Sequence, residues 1–261
     1  MKIEQLFVHP IKSCAALEVR EARVTARGLE HDRRWMITND EGMFLTQRTL
    51  PEMALVNVAI DGERFVARRD GHPPLLLPFV HDDGARVGVE IWDDRVEAVR
   101  HDHGSEWFSR VLGGSVQLVC MPDDVRRAVD RDYARDDDIV SFADGYPLLV
   151  VNRASLDALG DAIDVRRFRP NVVVSGAAAW AEDEWRGLAV GELTLRTPKP
   201  CARCTIPGVD PDSAAITKEP LRTLAKLRTR DNQALFGVNA IADREGTLRV
   251  GDDVRVVRPS W

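Results

Sequence analysis

The segment Lys199-Pro200-Cys201-Ala202-Arg203-Cys204-Thr205 puts two thiols three positions apart. Such a CxxC pair serves three chemistries: half of a zinc site, a redox dithiol, or one functional thiolate beside a bystander. Structural zinc takes four ligands, usually completed by a second Cys/His pair. Here all six histidines fall at or before His103, and Cys14 and Cys120 have no partner spacing. A thioredoxin-type dithiol starts a helix after a strand, whereas Thr205-Ile206-Pro207-Gly208-Val209-Asp210-Pro211 reads as loop. The third reading sets a single thiolate on a loop after a strand, with the Arg203 guanidinium beside it to stabilise the anion. A soft thiolate suits a heavy, polarisable metal centre.

Three cationic segments could serve an anionic ligand. Val165-Arg166-Arg167-Phe168-Arg169-Pro170-Asn171 stands directly before a buried strand, where planar guanidinium forks can grip phosphate or a heterocycle. His9-Pro10-Ile11-Lys12-Ser13-Cys14 is a proline turn leaving the first strand. It carries one of only five lysines among 36 basic residues, followed by a hydroxyl. Asp32-Arg33-Arg34-Trp35 brings charges into another strand. A run of this kind is more often a solvated face, and Arg166 and Arg167 are expected to be one.

Composition bounds the rest. The chain has 261 residues, 44% of them apolar, and six tryptophans, enough for a sizeable core in one large domain or two small ones. The 36 basic and 42 acidic side chains leave a net charge of −6, which argues against a nucleic-acid binder. Met1-Lys2-Ile3-Glu4-Gln5-Leu6-Phe7-Val8 alternates and lacks the apolar region of a signal peptide. No run approaches the roughly 20 apolar residues of a membrane span. The four cysteines, Cys14, Cys120, Cys201 and Cys204, are too sparse for a disulfide scaffold. A soluble, cytoplasmic protein is expected, with no membrane and no nucleic acid among its partners.

The elements that must position these groups are mostly strands. Alternation predicts strands over 3–8, 17–24, 35–38, 54–60 and 64–68, with a hairpin turn at Asp61-Gly62. Strands over 87–92 and 96–100 flank a turn at Asp93-Asp94. A helix over 105–112 ends at Gly113-Gly114, and 116–120 is one more strand. From 121 to 138 Asp and Arg dominate and apolar residues thin out, which reads as a solvated loop or crossover. The domain boundary is set here, giving units 1–122 and 123–261. Beyond it come a buried strand over 147–151, a short helix over 154–159 capped by Asn152, and strands over 172–175, 192–196, 237–241 and 254–257. A helix over 220–227 is capped by Thr217 and lines Leu221, Leu224 and Leu227 on one face. A last hairpin turns at Asp243-Arg244-Glu245-Gly246. The class is α+β with β dominant, a β-barrel-like N-terminal module followed by a second β-barrel domain with a few short helices.

These segments occur together and in a familiar order. With Gly28 to Trp35, Phe142-Ala143-Asp144-Gly145-Tyr146-Pro147, Ala181-Glu182-Asp183-Glu184-Trp185, Val209-Asp210-Pro211 and Gly251-Asp252, the sequence resembles the MOSC-domain family, the domain shared with molybdenum cofactor sulfurases. It resembles in particular members that carry an N-terminal MOSC β-barrel domain, the amidoxime-reducing component and its bacterial counterparts. The resemblance spans nearly the whole chain. It implies a molybdenum-pterin (molybdopterin) cofactor, with Cys204 supplying a thiolate to the metal and Lys12, Ser13, Arg33, Arg169 and Asn171 lining the cofactor. It implies that Asp144 stands beside the metal, as a proton relay or to orient a water, and that Cys201 is a bystander. The implied reaction is reduction of the N–O bond of a small N-hydroxylated substrate. The alternative is a carrier of the cofactor, or a sulfur-handling binding protein, without turnover. No Cys follows Cys204, so no internal iron–sulfur cluster is expected. Electrons would come from a separate ferredoxin, flavin reductase or cytochrome.

Overall fold

The computed structural model describes residues 1–160 and 163–258. Strands dominate it, and the α-helices among the described residues are short: Asp102–Leu112, Arg153–Asp157 and Leu221–Arg228. The largest sheet runs in the order Leu17–Val19, Lys2–Val8, Val172–Ser175, Leu148–Asn152, Gln233–Ala242, Leu193–Arg196, Gly187–Val190, Val254–Val257. Its one parallel pair along this order joins Leu148–Asn152 to Val172–Ser175. A parallel pair needs a crossover, and helix Arg153–Asp157 with the 3-10 turn Val165–Phe168 supplies it. Every residue of Leu148–Asn152 is buried, as a near-continuous apolar run in a sheet covered on both faces requires. Alternation divides the packing. Leu6, Leu148, Val150, Val172 and Leu188 fill one side, and Phe7, Leu149, Val151, Phe168 and Phe236 fill the other.

The two portions of the chain exchange strands. The first strand, Lys2–Val8, pairs with Val172–Ser175, and Glu21–Thr25 pairs with Gly246–Arg249. The turn at Asp243 therefore closes no hairpin. The strand after it leaves Gln233–Ala242 because Leu248 buries completely against the N-terminal portion.

The N-terminal module adds a four-stranded sheet, Trp35–Thr38, Gln117–Cys120, Asp94–Arg100 and Ala85–Ile91, and a three-stranded one, Asn57–Asp61, Arg64–Arg68 and Leu75–Pro78. Trp35, Phe65, Trp107, Phe108 and Leu118 form its core. Helix Asp102–Leu112 starts three residues before the predicted point, because the His101 imidazole accepts from the Gly104 amide. It ends on Gly113 in the left-handed region, as expected.

Four local expectations are corrected. The 17–24 stretch breaks into Leu17–Val19 and Glu21–Thr25, and residues 54–55 belong to the 3-10 turn Pro51–Leu55. Register places Ile91 opposite Asp94, so the second hairpin turns at Trp92-Asp93. Thr217 caps nothing: its hydroxyl donates to the Glu219 carbonyl at 2.6 Å, and helix Leu221–Arg228 begins after Pro220. Of its leucines Leu224 is buried while Leu227 is 56% exposed.

Candidate functional site

A cavity of about 660 Å³ lies between the N-terminal module and the large sheet. Its wall contains Lys12, Ser13, Arg33, Asp144, Arg169, Asn171 and Cys204, the residues that the family resemblance assigns to cofactor and metal, whereas His9, Arg34, Arg166 and Arg167 do not line it. They arrive from five separate stretches of chain. Lys12 and Ser13 follow the first strand, where the Lys12 amide donates to the Trp35 carbonyl at 2.8 Å. Arg33 precedes Trp35–Thr38, and Arg169 closes the Val165–Phe168 turn two residues before Val172–Ser175 is reached through Asn171. Cys204 follows strand Pro200–Ala202. Ser13 (φ 67°), Arg33 (φ 49°) and Arg169 (φ 54°) all hold left-handed backbone. Such conformations cost non-glycine residues about 1–3 kcal/mol each and cluster at functional sites.

One wall is cationic. The Arg33 guanidinium pairs with buried Asp32 and donates to the Arg169 carbonyl at 3.1 Å and to Asn171 Oδ1 at 3.3 Å. Asp32 in turn accepts from the His9 amide at 2.8 Å. His9 is fully buried with Nε2 3.0 Å from the Pro170 carbonyl. Burial, with Arg33 and Arg169 nearby, holds it neutral, its pKa well below the usual imidazole value. Arg169 spends Nη1 on the Cys14 carbonyl at 2.7 Å, and its buried Nη2 has no partner among the described residues. Burial and the neighbouring Arg33 lower its pKa to about 10, still charged at neutral pH. Asn171 is less free than the sequence reading allows. Its Oδ1 also accepts from the Leu149 amide at 3.1 Å, and its Nδ2 donates to the Phe7 carbonyl at 3.3 Å. It is a brace between strands that leaves one amide hydrogen for a ligand.

The cavity is also lined by an ion pair. Buried Lys12 donates from Nζ to the Phe142 carbonyl at 2.8 Å and to Asp144 Oδ1. Burial pulls the Lys12 pKa down to about 8, against the opposing effect of Asp144. Burial pushes Asp144 upward, but Lys12, the Trp92 indole N–H and Arg48 outweigh it and hold the carboxyl well below the usual range. Asp144 is therefore an anion at neutral pH. It serves as an acceptor, and Lys12 is the group of the pair that can release a proton there.

Sequence reasoning missed what holds Asp144 in place. Arg127, in the stretch read as solvated, is buried. Its guanidinium donates to the carbonyls of Ser141 (3.0 Å), Ala143 (2.5 Å) and Asp144 (2.8 Å) and to the Asp94 carboxylate (2.7 Å). A charge-rich segment hides such a residue, because only tertiary context separates a buried arginine from its exposed neighbours. Trp92 and Arg48 were missed too. Trp92 Nε1 donates to Asp144 Oδ1 at 3.2 Å, and the Arg48 guanidinium lies 4.5 Å from the indole centroid.

Around the thiols two expectations are corrected. Arg203 does not address Cys204: its Nη1 donates to Cys201 Sγ at 3.1 Å and its Nη2 to the Phe168 carbonyl at 2.8 Å. Arg167, expected on a solvated face, instead ties the loop after Cys204. It donates to the Pro207 carbonyl at 3.2 Å and the Asp210 carboxylate at 2.6 Å. Among the described residues no group of three or more His, Cys, Asp or Glu is placed to hold a metal by itself.

Fold and cavity together define a two-module β protein whose cavity is lined by Lys12, Arg33, Arg169 and a cysteine. The chain belongs to the MOSC-domain family. Residues 1–115 match the MOSC N-terminal beta barrel domain and residues 137–255 the MOSC domain. It is 33% identical to mitochondrial amidoxime-reducing component 1 of Mus musculus over 97% of this chain and 81% of that protein. The Homo sapiens protein of the same name is 33% identical over 97% and 82%. Molybdenum cofactor sulfurase of Oryza sativa subsp. japonica is 30% identical over 90% of this chain, which spans 32% of that longer protein. No helix among the described residues is long and apolar enough to cross a membrane.

Proposed function

We propose that the cavity binds a molybdenum-pterin cofactor, with Cys204 as the protein ligand of the metal, and that the chain reduces N-hydroxylated compounds with electrons from a separate protein. The observation that carries the cofactor reading is the uncommitted, buried Nη2 of Arg169, in a cavity that Arg33 and Lys12 also line. A buried donor without a partner costs about 1–3 kcal/mol, and a phosphate-bearing group would satisfy it with a charge-assisted bond. The donor set fits such a group: Arg33 and Arg169 for the anionic part, Ser13 and the last Asn171 hydrogen for polar edges, and Cys204 for a soft metal.

When bound, the cofactor supplies the two-electron chemistry and an acceptor for the substrate oxygen. The protein supplies position and protons. Asp144 accepts a hydrogen bond from substrate or water, and Lys12 supplies one of the two protons that N–O reduction consumes, the other coming from solvent. Arg127 keeps the carboxylate in place. The names of the amidoxime-reducing relatives support a reductase, and the sulfurase match supports the second reading, a cofactor carrier without turnover. Benzamidoxime reduction by molybdenum-loaded protein with an artificial electron donor separates them. Turnover is expected, and full loading without turnover would leave the carrier.

A further inference from the structure

The cavity carries a feature that cofactor binding does not use. Trp92 occupies the two-residue turn between Ala85–Ile91 and Asp94–Arg100 with φ at 55°. Turns of this kind favour glycine or asparagine at such a position. A bulky residue there is a genuine outlier, so the indole is kept at a conformational cost. It is not held for packing: Trp92 is 47% exposed and belongs to no core cluster. It lines the cavity, and its N–H fixes it to Asp144 Oδ1. Lys12 also lands on Oδ1. Asp144 Oδ2 is left without a partner among the described residues, on a side chain 52% open. The Arg48 guanidinium, 4.5 Å from the indole centroid, and the Phe44 ring, 5.3 Å away, keep the indole in position.

We propose that Trp92 and the free oxygen of Asp144 form a substrate subsite for a planar, N–H-bearing group, the amidine or heteroaromatic portion next to the N–O bond. The ring face stacks on the indole while an N–H of the same plane donates to Oδ2. For an amidinium both contacts strengthen, one as a cation–π contact and the other as a charge-assisted hydrogen bond. The substrate class rests on the reductase reading. The subsite itself is a binding claim and is tested without turnover.

Benzamidine is planar, cationic and has no N–O bond to reduce, so its binding to the molybdenum-loaded protein can be followed by calorimetry. Wild-type protein should bind benzamidine more tightly than neutral benzamide. Trp92→Ala should weaken benzamidine about tenfold, in line with the loss of one stacking contact, with molybdenum content unchanged. Trp92→Phe should weaken it about threefold or less, since the stack remains, and Asp144→Asn should abolish the preference over benzamide. Equal binding by wild type and Trp92→Ala, or no binding by wild type, would overturn the subsite while leaving the reductase reading intact. Trp92-dependent binding in a protein that reduces no N-hydroxylated compound would sustain the subsite and overturn that reading instead.

Discussion

Arg127→Leu tests how the fold holds the site. The guanidinium is 3% exposed and satisfies three carbonyls in the segment ending at Asp144 while pairing with Asp94 across the module. Leucine fills much of the volume but strands those acceptors. Each buried carbonyl left unpaired costs about 1–3 kcal/mol, while the half-exposed Asp94 carboxylate is left to solvent at little cost. Because the groups share one side chain, the losses are not additive. The expected destabilisation is about 3–5 kcal/mol, a fall of roughly 10 °C in Tm for a chain of this size. Thermal unfolding by circular dichroism reads the stability, and benzamidoxime turnover on the surviving fold reads the position of Asp144. Turnover should fall at least tenfold, and Arg127→Lys should lie between wild type and Arg127→Leu in both. A Tm within about 2 °C of wild type would show that the segment finds other donors, and would refute the bracing argument.

Three further expectations concern single groups. Cys204→Ser should lose molybdenum and turnover together, whereas Cys201→Ser should retain the metal; equal metal loss in both would make the Arg203–Cys201 contact part of the centre. Turnover should fall as pH rises through about 8, where Lys12 loses its proton, and Lys12→Met should remove that limb. Stability moves the other way for this residue. Its folded value lies below the unfolded 10.5, so the unfolded chain holds more protons between about 8 and 10.5 and Lys12's contribution to stability rises across that window. The opposite slope, read by denaturant titration against pH with Lys12→Met as reference, would contradict the burial argument. Iodoacetamide on native protein, followed by peptide mapping, should label the part-exposed Cys201 and Cys204 and spare buried Cys14, whose thiol burial pushes up to about 12, and buried Cys120 at about 11.

The strands were legible because their signal is local. The apolar run of Leu148–Asn152 and the first strand carry their structure in neighbouring residues, as does the first hairpin, whose turn falls at Gly62-Glu63, one residue beyond the expected Asp61-Gly62. Part of the cavity wall was legible from one of only five lysines, an arginine before a buried strand and a cysteine after one, whereas Asp144 came only from the family resemblance. Partnership across the chain was not. Nothing near Gly246 says that its strand joins Glu21–Thr25, and nothing in a run of Asp and Arg says that Arg127 turns inward. Asn171 shows the same limit from the other side. Its residue type announces donor and acceptor capacity, but only the folded sheet shows that most of it is spent on Phe7 and Leu149.

Metal analysis shows whether Cys204 and the cationic wall hold a molybdenum-pterin group. Protein purified from a host with pterin synthesis intact should carry close to one molybdenum per chain, and protein from a host unable to make the pterin should carry none. Arg169→Leu, which removes the uncommitted buried donor, should lower occupancy severalfold in the competent host. Zinc in place of molybdenum, or molybdenum that persists without the pterin, would contradict the account.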